Sequence, residues 1–229
     1  MALTFLDLTN TTLRRLNEVE LTLDNFATVV GVHSQTKDAV NAAIRDIIDM
    51  HPEWPFMHSS YTQTLVVGTQ EYALQTSTDK VDWDSFRILR DDANEITASY
   101  LKAIDYNQWL QRRYEEDAQR NSDNHAKPVY IYRTQNDRFG VTPTPDKAYQ
   151  VRYEYWITPV DLVDYDDVAV IPDHFKNVIV DGAMYHTYMF RENFESAQNV
   201  FARFKIKTDQ MRRKLIPHPD AMRDTRVKF

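Results

Sequence analysis

Histidines and carboxylates are the residues of this chain that could ligate a metal or move a proton, so their spacing is read first. Of the seven histidines, His51 and His58 bracket a Trp-Pro segment, and His174 and His186 fall on one predicted helix. Twelve residues of α-helix turn a side chain through ~120°, whereas two-ligand helical sites sit one turn apart. HExxH spacing is absent, and these histidines read as structural or surface residues. The carboxylates gather at Asp91-Asp92, at Glu115-Glu116-Asp117 and at Asp164-Tyr165-Asp166-Asp167. Acid–base work needs two carboxyl groups in different environments within a cleft. Acids adjacent in sequence and in predicted turns read instead as solvated charge.

The remaining chemistry is excluded by composition. The chain has no cysteine, so thiolate nucleophiles, disulfides and Cys-ligated zinc are ruled out. It has four glycines among 229 residues and no Walker, Rossmann or GxSxG pattern. Nothing here argues for catalysis, a cofactor or a bound metal, and the expectation is a protein that is not an enzyme. No stretch approaches the ~20 apolar residues that span a bilayer, and the N-terminus lacks a basic start and an apolar signal core. A cytoplasmic protein, assembled there into something larger and without a membrane partner, is expected.

The elements that would hold these residues fall into a helix–sheet–helix order. Leu6, Leu13 and Leu16 recur at helical spacing within residues 4–20. Ser34 or Thr36 is read as the cap of a second helix, with Val40, Ala43, Ile44, Ile47 and Ile48 inward and Pro52 as its stop. Trp54-Pro55-Phe56 follows as a rigid aromatic turn. Residues 62–67 and 71–74 flank Gly68 and read as a hairpin; 86–89 and 99–102 are further strands. A short helix over 106–119 would turn Trp109, Leu110 and Tyr114 inward, and 120–127 is a polar loop. Strands resume at 129–133, 138–141 and 149–157, the last alternating Val151, Tyr153, Tyr155 and Ile157 with Arg152, Glu154 and Trp156. After an acidic linker over 161–167, Pro172 and Asp173 suit a helical first turn, and Phe175, Val178, Ile179, Gly182 and Ala183 share a face. A break at 191–193 leads to a last helix carrying Phe194, Ala197, Phe201 and Phe204. The expected class is α+β, mainly α. Residues 1–58 and 161–216 would form a helical bundle, 59–160 a β-rich insertion, and 217–229 an extended tail.

Charge is segregated along this layout. The chain carries −7 overall, yet residues 203–229 hold nine basic and three acidic side chains, leaving −13 on the preceding body. An acidic body should not bind DNA. The basic end is the candidate interaction segment, through Arg212, Arg213, Lys214, Met222, Arg223, Arg226 and Phe229. The aromatic strand could stack bases, but Arg152 is its only basic residue; a sheet core or subunit contact fits better. Trp54, Phe56, Tyr153, Tyr155 and Trp156 are the candidate subunit-interface residues.

Several stretches in order carry a resemblance: residues 13–19, 37–44, Trp54-Pro55-Phe56, 80–86, 139–146, Ile171-Pro172-Asp173-His174-Phe175, Asp181-Gly182-Ala183 and Met222-Arg223-Asp224-Thr225-Arg226. Through them the chain resembles the head-to-tail adaptors of short-tailed bacteriophages, especially those with elongated heads. The resemblance implies a virion structural protein at the head–tail junction. It implies a ring, usually of twelve subunits, beneath the portal protein, receiving tail (nozzle or fibre) proteins and continuing the DNA channel used in ejection. The C-terminal segment would extend towards the portal, and genomic DNA would pass without specific binding. A tail-tube or head-completion protein, and a nucleic-acid-binding module, are the competing readings.

Overall fold

The computed structural model describes residues 3–118 and 125–216, with side chains of 115–118 left aside. The protein is mixed helix and sheet, as its sequence predicts, and divides into two compact units. One comprises Met1–Met57 with Pro159–Phe229; the other is His58–Thr158.

The first unit is helical. Helix α1 (Phe5–Arg15) starts at Thr4, whose hydroxyl accepts the Asp7 N–H at 3.2 Å, and Arg14 and Arg15 sit at its negative end. It buries Phe5, Leu8 and Leu13, and is shorter than the periodicity predicts because the chain turns at Asn17, φ 58°. Helix α2 (Val32–Asp49) begins at Gly31, not at Ser34 or Thr36. Both candidate caps lie inside the helix, where the Thr36 hydroxyl donates back to the Val32 carbonyl at 2.8 Å. After α2, the Trp54 indole N–H donates to the Ile47 carbonyl at 2.8 Å, fixing the aromatic turn against the helix it follows.

Helix α4 (Lys176–Phe190) enters through a 3-10 turn at Asp173–Phe175, and α5 (Phe194–Leu215) follows the break at 191–193, capped by Asn193 on the Ser196 N–H at 3.2 Å. Helix α4 packs against α1, α2 and α5. Gly182 allows this closeness: a Cβ there would lie 2.8 Å from Ala43 Cβ on α2 and 2.9 Å from the Phe204 ring on α5. The inward face of α5 is Ala197, Val200, Phe204, Thr208 and Met211. Phe194 and Phe201, expected inside, are exposed, because 3.6-residue spacing from the buried set carries them to its margin.

The second unit holds two four-stranded sheets and one helix among its described residues. The first sheet runs β1 (His58–Thr64), β8 (Gln150–Ile157), β3 (Thr78–Ile88), β4 (Ser99–Tyr100). The second runs β2 (Glu71–Ala73), β7 (Arg138–Thr142), β6 (Tyr130–Arg133), β5 (Lys102–Ile104). Residues 62–67 and 71–74 therefore do not form a hairpin: β1 pairs with β8 and β2 with β7, in different sheets. Local turn signals around Gly68 cannot reveal partners so distant in sequence. Phe86, Phe139 and Tyr153 join the two sheets, with Phe86 and Tyr153 stacked at 4.6 Å. Helix α3 (Tyr106–Ala118) links β5 to its parallel neighbour β6. Only Trp109 of its three predicted inward residues is buried, stacked on Tyr132 at 4.4 Å; Leu110 and Tyr114 face outwards.

Candidate functional site

The last turns of α5 present the candidate basic end. Arg212, Arg213 and Lys214 are exposed in its final turn, where cations oppose the helix dipole, and the Lys214 ammonium lies 5.6 Å from the Phe175 ring. Met222, Arg223, Arg226 and Phe229 lie outside the described residues.

Most of the candidate interface aromatics are occupied internally. Trp54 is buried against α2 and stacks on Phe56 at 5.4 Å. Tyr153 and Tyr155 are buried on the inner face of β8, and the Tyr153 hydroxyl accepts the Gln75 N–H at 3.0 Å. These three side chains are buried within their own units. Phe56 and Trp156 remain half-buried, Trp156 with His58 at 5.1 Å and the Lys80 ammonium at 5.3 Å.

The histidines are dispersed. His186 Nε2 lies 2.8 Å from Asp46 Oδ2 and ties α4 to α2; His174 packs on Phe175; His51 accepts the Glu53 N–H at 3.1 Å. Among the described residues no three His, Asp or Glu side chains gather as a metal site. Of the acidic clusters, Asp91 turns back on Ala93 and Asn94, which hold its carboxyl below the usual range. The side chains of Glu115, Glu116 and Asp117 lie outside the described residues.

The strongest electrostatic feature is one that periodicity does not single out. Asp181 is fully buried on α4, and three cations from two helices converge on it. Arg15 Nη1 donates to Oδ1 at 2.8 Å, Arg203 bridges both oxygens at 2.7 and 3.0 Å, and Lys207 Nζ donates to Oδ2 at 2.6 Å. Arg15 also donates to Asn177. Every acceptor position of the carboxylate is filled, which is what a buried charge requires. The legible signal is an acid inside an apolar run, Val180-Asp181-Gly182-Ala183.

A second surface lies at α2 and residues 159–170. Asn41 holds this extended segment from both sides, donating to the Leu162 carbonyl at 2.9 Å and accepting the Leu162 N–H at 3.0 Å. Arg45 pairs bidentately with Asp161. Asp167 accepts the N–H groups of Val163 and Asp164 at 2.6 and 2.8 Å, which hold its carboxyl below the ordinary range and keep it charged. Ile44, Ile48, Val160, Leu162, Val168 and Val170 line an open groove of about 240 Å³ beside these acids.

The helical unit thus combines a buried ion cluster at Asp181 with exposed basic and acidic surfaces. The family model described as SU10 adaptor protein matches residues 3–227, nearly the whole chain, and the chain belongs to that family of phage adaptors. No curated protein matches it. Among the described residues no helix is long and apolar enough to cross a membrane.

Proposed function

We propose that this protein is a structural subunit of the head–tail junction of a short-tailed bacteriophage. Twelve copies form a ring beneath the portal protein, receive tail (nozzle or fibre) proteins on the far side, and continue the DNA channel. The protein assembles in the host cytoplasm and resides in the virion. The observation that carries this reading is the family match over residues 3–227, and charge segregation supports it independently. In this reading α1, α2, α4 and α5 act as a helical bundle that fixes the subunit in the ring, and residues 59–160 are its β-rich insertion. The basic end reaches the portal through Arg213, Lys214, Arg223 and Arg226, which meet an acidic surface on it. The acidic body repels phosphate, so DNA slides through without specific binding.

Electron microscopy of the full-length protein mixed with the portal protein of its own virus tests the reading. A ring on the portal is the expected result, and a portal left bare under assembly conditions overturns it. Density elsewhere on the tail axis would instead identify a tail-tube or head-completion protein. Deleting residues 220–229 should weaken portal binding with folding unchanged; undiminished affinity would remove the tail from the mechanism.

A further inference from the structure

We propose that copies of this chain join head to tail through two flanks of the helical unit, the aromatic-basic stripe of α5 on one copy seating in the aspartate-rimmed groove of α2 and residues 159–170 on the next. The inference rests on the ring reading above and names the contact that closes it.

The donor flank follows from helical geometry. At 3.6 residues per turn, positions 194, 201, 205 and 212 fall in one stripe along α5. They are Phe194, Phe201, Lys205 and Arg212, all exposed. Phe194 is 61 % and Phe201 39 % exposed, beside Phe190 at the end of α4 at 59 %. Lys205 and Arg212 have no ion pair among the described residues, unlike Arg203 and Lys207, which turn the other way towards Asp181. Two exposed phenyl rings followed along the helix by two unpaired cations are a costly surface for a monomer and a suitable one for an interface, where aromatics and arginine are enriched.

The acceptor flank has the complementary character. Residues 159–170 contain four aspartates and no lysine or arginine. Arg45 neutralises Asp161, which leaves Asp164, Asp166 and Asp167 without a cation among the described residues. Between them the segment exposes Val160, Val163, Val168 and Val170, and the groove behind is floored by Ile44 and Ile48. An amphipathic helix laid in an apolar groove with opposite charges at the rim is a recurrent mode of recognition. The occupant is a second copy because the donor stripe has the matching apolar and basic character on this same chain.

The unlike character of the two flanks favours a ring over a two-fold dimer. One is formed by α5 and the other by α2 with the 159–170 segment that Asn41 holds on it. A subunit that presents unlike, complementary flanks makes heterologous contacts, which close into a ring where the rotation between neighbours divides a full turn.

Charge exchange in the full-length chain tests the contact, read by native mass measurement with and without the portal protein. Lys205→Glu with Arg212→Glu should cut the ring fraction at least about tenfold, as should Asp164→Lys with Asp166→Lys. Combining both pairs should restore it. Because the chain has no cysteine, Phe201→Cys and Val168→Cys placed together should give a ladder of disulfide-linked oligomers under oxidation. Either cysteine alone should give no species beyond a dimer. Rings that survive both one-sided exchanges, or a double-cysteine chain that forms no ladder while rings form, overturn this contact and leave the ring reading standing. A wild-type chain that never assembles, with portal or without, overturns the ring reading and this contact with it.

Discussion

Replacing Asp181 by asparagine removes one charge and almost no volume, so it isolates the electrostatic role of the buried carboxylate. In the native protein four short hydrogen bonds fill both oxygens, from Arg15, Arg203 and Lys207. The asparagine keeps one acceptor oxygen and turns an amide towards cations that it cannot satisfy. Breaking a buried ion pair typically costs about 3–5 kcal/mol. Here the cations are 34 %, 48 % and 32 % exposed, so water rehydrates them partly when the carboxylate is lost. The low end applies, about 3 kcal/mol, and for a chain of this length it lowers Tm by roughly 6–12 °C. The loss should fall in the helical unit. Hydrogen exchange should quicken in α1, α4 and α5 while β8 and β3 keep their protection. Lys207→Met is the control: Arg203 still bridges both oxygens, so the cost should be smaller, about 1.5 kcal/mol. A loss under about 1 kcal/mol for Asp181→Asn, or one spread equally over both units, would refute the reasoning.

Glycine positions give a second prediction. In Gly182→Ala the helix propensity gain of about 1 kcal/mol opposes overpacking against Ala43 and Phe204 at 2.8 and 2.9 Å, usually about 1–3 kcal/mol, so urea unfolding should show a modest net loss. Gly140→Ala should cost more, about 3 kcal/mol, because the new Cβ would lie 2.1 Å from Tyr132 Cζ and Trp109 blocks the ring's retreat. An unchanged Trp109 fluorescence and unfolding midpoint would contradict that placement. For Tyr149, burial and then the hydrogen bond to Asp146 push the phenol up to about 12. The neutral phenol is favoured in the fold more than in the unfolded chain. Its stabilising contribution is therefore complete below pH 10 and lost as pH rises from about 10 to about 12. Tyr149→Phe should flatten that part of the stability curve, and an identical alkaline slope in the variant would dismiss the assignment.

Periodicity located the helices because each buries one face: Val40, Ala43, Ile44 and Ile47 read directly as the inner side of α2. It located β8 for the same reason, with Val151, Tyr153 and Tyr155 alternating inward. What it misjudged were matters of partner and margin. The pairing of β1 with β8 spans some ninety residues and leaves no local trace around Gly68. Phe194 and Phe201 sit close enough to the inner face of α5 for hydrophobicity alone to place them inside. Of the candidate surface residues, Arg212, Arg213 and Lys214 are exposed as their type suggests. Trp54, Tyr153 and Tyr155 are not, since aromatic side chains serve cores as readily as interfaces. The Asp181 cluster was visible only as an acid misplaced in an apolar run, because its cations come from residues 15, 203 and 207.

The strand unit leaves and rejoins the chain at neighbouring points. His58 is paired with Trp156, so the first residue of this unit and one near its end face each other across two adjacent strands. The two ends of this hundred-residue excursion therefore lie side by side, as the two ends of a single narrow turn would. Lengthening a closed excursion is cheap, roughly 0.6 kcal/mol for each doubling. A cassette with such an entrance can be enlarged, trimmed or exchanged for another while the helices keep their register, which gives an evolving particle a way to refit one component to new neighbours without redesigning the frame that carries it.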